Sequence, residues 1–330
     1  MLTTAFQIAQ NTYRETLRQP IYFLVLLSAL ALIGIFPAVT LFVFGVGMTR
    51  EHHLPAQVKL VVDSALATTM LFGWIAAGLA SSHTISREIR NGTALLVLSK
   101  PVNRSVFIAA KILGTLAALT VFCFLAGLAT LLAVRVAKDQ FRFDTPVMTI
   151  YFSAIAVSCI IGGIINYVRR SSFAMNAVLA MLVVLPLATA VVFFIPPDED
   201  VQRLNWALVP ALVLVWYSVL IMGALATALS TRLDLVPNLL ICGAVFVLGL
   251  VSDYLIGRHI ATSFVAQALY SLIPNWQLFW MADALAAQKA IPVAYVIWGG
   301  IYVLLFDVQL LLLAICLFWN REVGKQDVIA

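Results

Sequence analysis

Apolar residues are gathered into eight runs, at positions 21–48, 58–81, 106–134, 147–168, 173–195, 207–229, 236–256 and 293–319, and the stretches between them hold most of the charge. Each run meets or exceeds the roughly 20 residues that an α-helix needs to cross about 30 Å of hydrocarbon at 1.5 Å per residue. Strands of a membrane barrel would alternate in polarity and run only about ten residues. The pattern therefore predicts an all-α polytopic membrane protein with about eight transmembrane helices. Pro37, Pro210 and Pro237 lie inside or near spans, so bends are expected there, with neighbouring helices satisfying the freed carbonyls.

The first 20 residues are patterned differently. Leu2, Phe6, Ala9, Tyr13 and Leu17 recur at helical spacing, Gln7, Asn11, Arg14 and Arg18 take the opposite face, and Pro20 ends the run. This predicts an amphipathic helix lying on the membrane surface at residues 1–20. A polar lead of that length before a span of 28 residues does not fit a cleavable signal, whose apolar core runs only about 7 to 15 residues.

Composition agrees with the pattern: 63% of residues are apolar and 11% charged, against about 25% charged in a globular protein, and the mean hydropathy is +1.03. No polar stretch is long enough for a separate core, so residues 1–330 are expected to form one membrane domain. Cys123, Cys159, Cys242 and Cys316 stand singly in apolar runs and read as small packing residues. Orientation follows from the basic residues. With the N-terminus inside, Arg14, Arg18, Arg87, Arg90, Lys100, Arg104, Lys111, Arg169, Arg170, Arg232, Arg321 and Lys325 fall on the cytoplasmic side, while the acidic Asp198, Glu199 and Asp200 fall outside. Both termini are then cytoplasmic. Anionic membrane lipid accounts for the excess positive charge without any nucleic acid.

The segment 82–104, SHTISREIRNGTALLVLSKPVNR, is charged, then broken at Gly92, then apolar at 94–98, then broken again at Pro101. Gly92 suits the left-handed cap that ends a helix, and Asn103 suits an N-cap for the next span. An apolar strip in a polar loop must be covered. By pattern alone it either docks on a partner, with Arg87, Glu88, Arg90, Lys100 and Arg104 as a polar rim, or tucks against its own helices.

The order Arg87-Glu88, Asn91-Gly92-Thr93, Leu95-Leu96, Leu98-Ser99-Lys100-Pro101, Arg104, Phe107 and Lys111 resembles the signature between the second and third transmembrane helices of ABC-transporter permeases of the type-2 exporter superfamily. The leader Phe6-Gln7-Ile8-Ala9, Thr12-Tyr13-Arg14-Glu15 and Leu17-Arg18 is similar to that family's N-terminal elbow. The resemblance implies a bacterial inner-membrane or plasma-membrane permease subunit of an exporter. Its residues 82–105 would hold a coupling helix that sits in a groove of a separate cytoplasmic ATPase subunit. Arg87, Glu88, Arg90, Gly92, Thr93, Leu98, Pro101 and Arg104 would be the coupling residues, with Glu88 and Arg104 as contacts and Gly92 and Pro101 shaping the loop. ATP and Mg would belong to that partner, and this chain would hold no cofactor. A phosphate-binding loop needs GxxxxGK[ST], and the only Gly-Lys pair, Gly324-Lys325, has Trp319 and Gln326 where Gly and Ser or Thr belong. The chain is thus expected to be no enzyme. Since two ATPases sandwich nucleotide in that family, the permease would pair with a second copy or a homologous permease, with 58–81 and 236–256 lining the seam.

The family's six-helix core accounts for all but two runs. The hairpin 147–195, turning at Arg169-Arg170-Ser171-Ser172, reads as an insertion, and 257–292, with Tyr270, Trp276, Phe279 and Trp280, matches the family's re-entrant outer loop. The aromatics there act either as interface anchors or as an outer gate. Asp63 and Asp253 lie near outer helix ends and are expected to reach water, whereas Asp307, two residues before Gln309, falls in mid-span and should face the interior. Asp307 serves either as an interhelical hydrogen-bonding group or, with Gln309, along the substrate path. Two other classes are weighed. An intramembrane aspartyl protease needs paired carboxylates at one depth, which Asp253 and Asp307 do not supply, and a metal or redox protein needs clustered ligands, where only His52-His53 pair. A non-transporting scaffold would keep the loop without a motor.

Overall fold

The computed structural model describes residues 2–44, 50–86, 88, 103–137, 144–196, 204–259, 263–287 and 289–319, and these residues form helices and connecting turns without a strand. In chain order the helices are α1 (Leu2–Arg18), α2 (Pro20–Phe44), α3 (Arg50–Ser81), α4 (Arg104–Ala137), α5 (Thr145–Arg169), α6 (Phe173–Phe194), α7 (Val209–Leu229), α8 (Leu235–Leu255), α9 (Phe264–Leu272), α10 (Ala282–Ala286) and α11 (Val293–Trp319). Among the described residues, eight of them, α2 to α8 and α11, are long and apolar enough to cross a membrane. The protein is an all-α polytopic membrane protein.

The centre of the bundle is α4, which packs on α1, α2, α3, α6, α7 and α11. Lipid is as apolar as leucine, so close packing rather than water exclusion holds such helices together, and small residues permit it. Gly73 of α3 sits under Val219, where a Cβ would come within 2.7 Å of the valine side chain, and Gly223 of α7 sits likewise 2.5 Å from Leu119 of α4. Tyrosines fix the outer layer: Tyr22 donates to the Ala118 carbonyl across 2.7 Å, joining α2 to α4, and Tyr151 donates to the Leu30 carbonyl across 2.6 Å, joining α5 to α2.

Two of the three expected proline bends do not arise. Pro210 occupies the first turn of α7 and Pro237 the first turn of α8, where a missing N–H has no intrahelical acceptor to lose. Pro37 of α2 and Pro186 of α6 are the ones inside helices.

α5 and α6 form the expected hairpin, packed on each other and on α1, α2 and α4. Gly162 lets their backbones touch, since a Cβ there would meet Ala177 N at 2.8 Å. At the far end of the hairpin, buried Arg135 of α4 donates to the Val192 carbonyl, which also accepts from the Ile195 N–H, and to the Ile195 carbonyl just past the end of α6. That contact pins the end of α6 to the core.

Two ends of the bundle follow from the contacts. The junctions at 18–20, 82–86, 103–104, 169–173 and 229–235, with the last turn of α11, lie at one end, here called the elbow end. At the opposite end, the segment after α8 folds back into the protein. Trp276 and Phe279 are buried. The Trp276 ring lies 5.0 Å from Trp74 of α3, which in turn lies 4.3 Å from Phe246 of α8. Gly249 makes room, because a Cβ there would lie 2.3 Å from the Pro274 carbonyl oxygen. These two aromatics pack protein rather than a lipid interface, while Tyr270 and Trp280 are half-buried. Asp253 is exposed and accepts from the Tyr270 hydroxyl across 3.0 Å, whereas Asp63 is half-buried, with Oδ1 enclosed.

Candidate functional site

The elbow end gathers the charged side chains that the sequence singled out. Its base is the crossing of α1 over α4. The packed face of α1 includes Thr12, Thr16 and Leu17, all buried, and the two hydroxyls satisfy themselves on the Ile8 and Thr12 carbonyls at 2.9 and 3.0 Å. α1 comes into backbone contact with α4 at Gly114, where a Cβ would lie 2.5 Å from the Ala9 carbonyl oxygen and 2.7 Å from Thr12 Cβ. Of the apolar positions in the α1 pattern, Leu17 is buried, Ala9 and Tyr13 are half-buried and Phe6 is 68% exposed.

Lys111 lies one turn before Gly114 and is buried. Its Nζ is 2.7 Å from Glu88 Oε1 and 3.9 Å from Glu15 Oε2, and it lies 5.8 Å from the centroid of the Phe107 ring. A buried ammonium is costly unless carboxylates and good geometry surround it. Here two carboxylates from separate segments converge on one lysine. Glu15 comes from the elbow helix, Glu88 from just beyond the end of α3, and Lys111 from the second turn of α4, so the three segments are tied at one point.

α3 does not end as an α-helix. Residues Ser82–Ser86 form a π turn, the wider winding often found at functional positions. Ser86 donates to Asp234 Oδ1 across 2.8 Å, joining this turn to the residue that precedes α8. Nearby, buried Asn238 of α8 donates to the Ala226 carbonyl of α7 at 3.1 Å and contacts Ser81 Oγ at 3.4 Å.

On the other side of the segment, Arg104 Nη1 donates to the Trp319 carbonyl across 3.0 Å, and Arg232 Nε donates to the Leu317 carbonyl across 2.6 Å. Both guanidinium groups meet the negative end of the α11 dipole. Phe107 and Phe318 stack beneath them with centroids 6.0 Å apart. The residues flanking 89–102 are therefore bonded to α1, α4, α8 and α11. Such an arrangement can transmit force.

Of the sequence-predicted coupling residues, Glu88 and Arg104 are placed at this junction, on its two sides, and Arg87, Arg90, Gly92, Thr93, Leu98 and Pro101 lie outside the described residues. Asp307 and Gln309 are not brought together. Asp307 shares the stripe of α11 that buries Val303, Phe306, Leu310 and Ala314, and its Oδ1 is enclosed without a hydrogen-bond partner among the described residues, whereas Gln309 lies on the exposed face with Leu305, Val308 and Leu312. Sequence reasoning missed the Lys111 triad, Asp234 and Arg135. Lys111 did carry a signal, since a lysine inside an apolar run must find a partner. Among the described residues no group of three or more His, Cys, Asp or Glu is placed to hold a metal ion.

A family model described as ABC-2 family transporter protein matches residues 6–198, from the elbow helix through the hairpin. No curated protein matches the chain.

Proposed function

The chain belongs to the ABC-2 transporter family, whose model covers more than half of it, and from that premise we propose that it couples ATP hydrolysis on a separate ATPase subunit to export. It is a multi-pass membrane permease subunit of an ABC transporter. On the proposed reading the elbow end faces the cytoplasm, as do both termini, and the membrane is the inner or plasma membrane of a bacterium. Residues 82–105 form the docking element, in which Arg87, Glu88, Arg90, Gly92, Thr93, Leu98, Pro101 and Arg104 carry the contact with the ATPase. ATP and Mg are held by that partner.

The observation that carries this reading is the Glu15–Lys111–Glu88 junction. A displacement of the segment by a closing ATPase has a direct polar link to the elbow helix and to α4, and through Ser86 and Arg104 to the ends of α8 and α11. Asp307, enclosed in mid-span, is proposed as a polar group along the path. Gln309, on the outward face, is proposed as a contact to a second permease copy. The same second copy would cover α8, which buries little of its own surface: Leu240, Val247 and Tyr254 are all more than half exposed. The α5–α6 hairpin, packed on α1, α2 and α4, is proposed as an addition to a six-helix core. The test is co-expression with the ATPase subunit and measurement of ATP turnover by the reconstituted complex. Turnover that depends on an intact segment supports the transporter. A chain that binds an ATPase without altering its turnover would be a scaffold.

A further inference from the structure

We propose that the elbow helix and the hairpin turn together form a binding site for the phosphate headgroup of an anionic phospholipid. Two arginines on each element, about 150 residues apart in sequence, lie where the two elements come together. The Ser172 hydroxyl donates to the Arg18 carbonyl across 3.4 Å, and the Phe23 and Phe173 rings pack edge to face with centroids 5.4 Å apart. These contacts set the turn between α5 and α6 beside the last turn of α1, so that Arg169 and Arg170 join Arg14 and Arg18. All four side chains are exposed.

Among the described residues the charge is uncompensated. None of the four is in an ion pair with a described residue. From Thr145 through Pro197 the sequence has no Asp or Glu at all, and the only carboxylate on α1 is Glu15, which faces Lys111. The turn itself is fixed: Asn176 Nδ2 donates to Ser171 Oγ at 2.7 Å, and Asn166 donates to the Ser171 carbonyl. Arg170 stands at the C-cap of α5 with φ of 50°, the only positive-φ residue other than glycine among the described residues. Glycine or asparagine fills such a cap without strain, so an arginine there holds a charge at a position where the backbone favours another residue.

The surroundings name the ligand class. Tyr167 is 88% exposed and Val168 72%, so apolar side chains directly precede the arginines of the turn, and α1 carries a further exposed apolar group in Phe6, about 12 Å along the helix from Arg14. Guanidinium groups match phosphate oxygens with paired hydrogen bonds. Arginines next to exposed apolar groups at a helix end fit a molecule with a phosphate head and acyl tails, and a soluble phosphate would have no use for those apolar groups. The proposal rests on the elbow end lying at an anionic leaflet.

The test uses the purified full chain in nanodiscs of phosphatidylcholine doped with spin-labelled phosphatidylglycerol. Nanodiscs offer both leaflets to both ends and contain no ATPase, so the result is independent of orientation and of coupling. The wild type should select phosphatidylglycerol over spin-labelled phosphatidylcholine. R169Q/R170Q should lose about five-fold in selectivity for each arginine removed, R169K/R170K, which keeps the charge without the paired donors, should fall between that variant and wild type, and R258Q, at the opposite end, should change nothing. R170G removes the charge while relieving the backbone, so it should unfold no earlier than wild type and still lose selectivity. Equal selectivity in R169Q/R170Q and wild type would overturn the proposal. So would equal loss in R258Q, or displacement of the lipid by millimolar inorganic phosphate, which would mark a small-anion site.

Discussion

Lys111 and Glu88 are joined across 2.7 Å, although the lysine lies inside an apolar run and the glutamate beyond the end of another. The pair closes the root of the one polar segment that separates α3 from α4. Because the lysine is buried and the glutamate is not fully so, the two partners are not equivalent.

Removing the glutamate leaves the ammonium with Glu15 at 3.9 Å as its remaining carboxylate. Glu88→Ala should therefore cost a few kcal/mol, while Glu88→Ala combined with Lys111→Met should recover much of that loss, since stranding a buried charge is worse than deleting the pair. Thermal unfolding of the purified chain in detergent checks this. A double variant less stable than Glu88→Ala would show that the pair is not a mutual contact.

Gly114 and Gly163 make opposite demands. At Gly114 a Cβ would strike the Ala9 carbonyl oxygen, whereas at Gly163 nothing lies within 4 Å. Gly114→Val should displace α1 and lower the unfolding temperature by several degrees, and Gly163→Ala should be neutral or raise it slightly through helix propensity, worth up to about 1 kcal/mol. Equal effects would contradict the close crossing of α1 and α4.

Reporter fusions after Arg169 and Arg232 should be cytoplasmic, and fusions near Lys138, Asp200 and Gln288 external. Arg169 is the informative one, because the hairpin turn and the elbow share an end through the Ser172–Arg18 contact. An external signal there would invert the proposed orientation of that end.

If α8 lines a seam between two permeases, Leu240→Cys and Val247→Cys should form disulfides between copies, in a chain whose exposed Cys316 has been replaced. Two-fold pairing brings like residues together. Cross-links confined to a single chain, or one permease per two ATPases in the purified complex, would exclude the paired pathway.

The spans and the elbow were legible because lipid imposes a local rule, apolar length, that any window of sequence displays. Which face of a helix meets which neighbour is not local. Phe6 sits on the apolar stripe of α1 yet points away from the bundle, and Gln309 lies two residues from Asp307 but on another face of α11. The Lys111 triad joins positions 15, 88 and 111, and only the crossing at Gly114 brings the first of these near the others. Trp276 and Phe279 have the composition of interface anchors, and their burial depends on Gly249, 27 residues before Trp276, leaving room for the returning chain. Pro210 and Pro237 fall in the first turns of α7 and α8, where hydropathy alone does not tell a helix start from a helix interior.

The central claim is that segment 82–105 transmits the ATPase's work to the membrane helices, and the most direct measurement is ATP turnover by the complex reconstituted with its ATPase subunit. Glu88→Ala with Arg104→Ala cuts two of the three described roots of the segment at once, leaving the Ser86–Asp234 bond. The account predicts that this variant inserts at wild-type levels and loses about five-fold or more of its coupled turnover, the lower end of a coupling free energy of about 1 to 3 kcal/mol. Wild-type turnover in the double variant, with the complex intact, would contradict it.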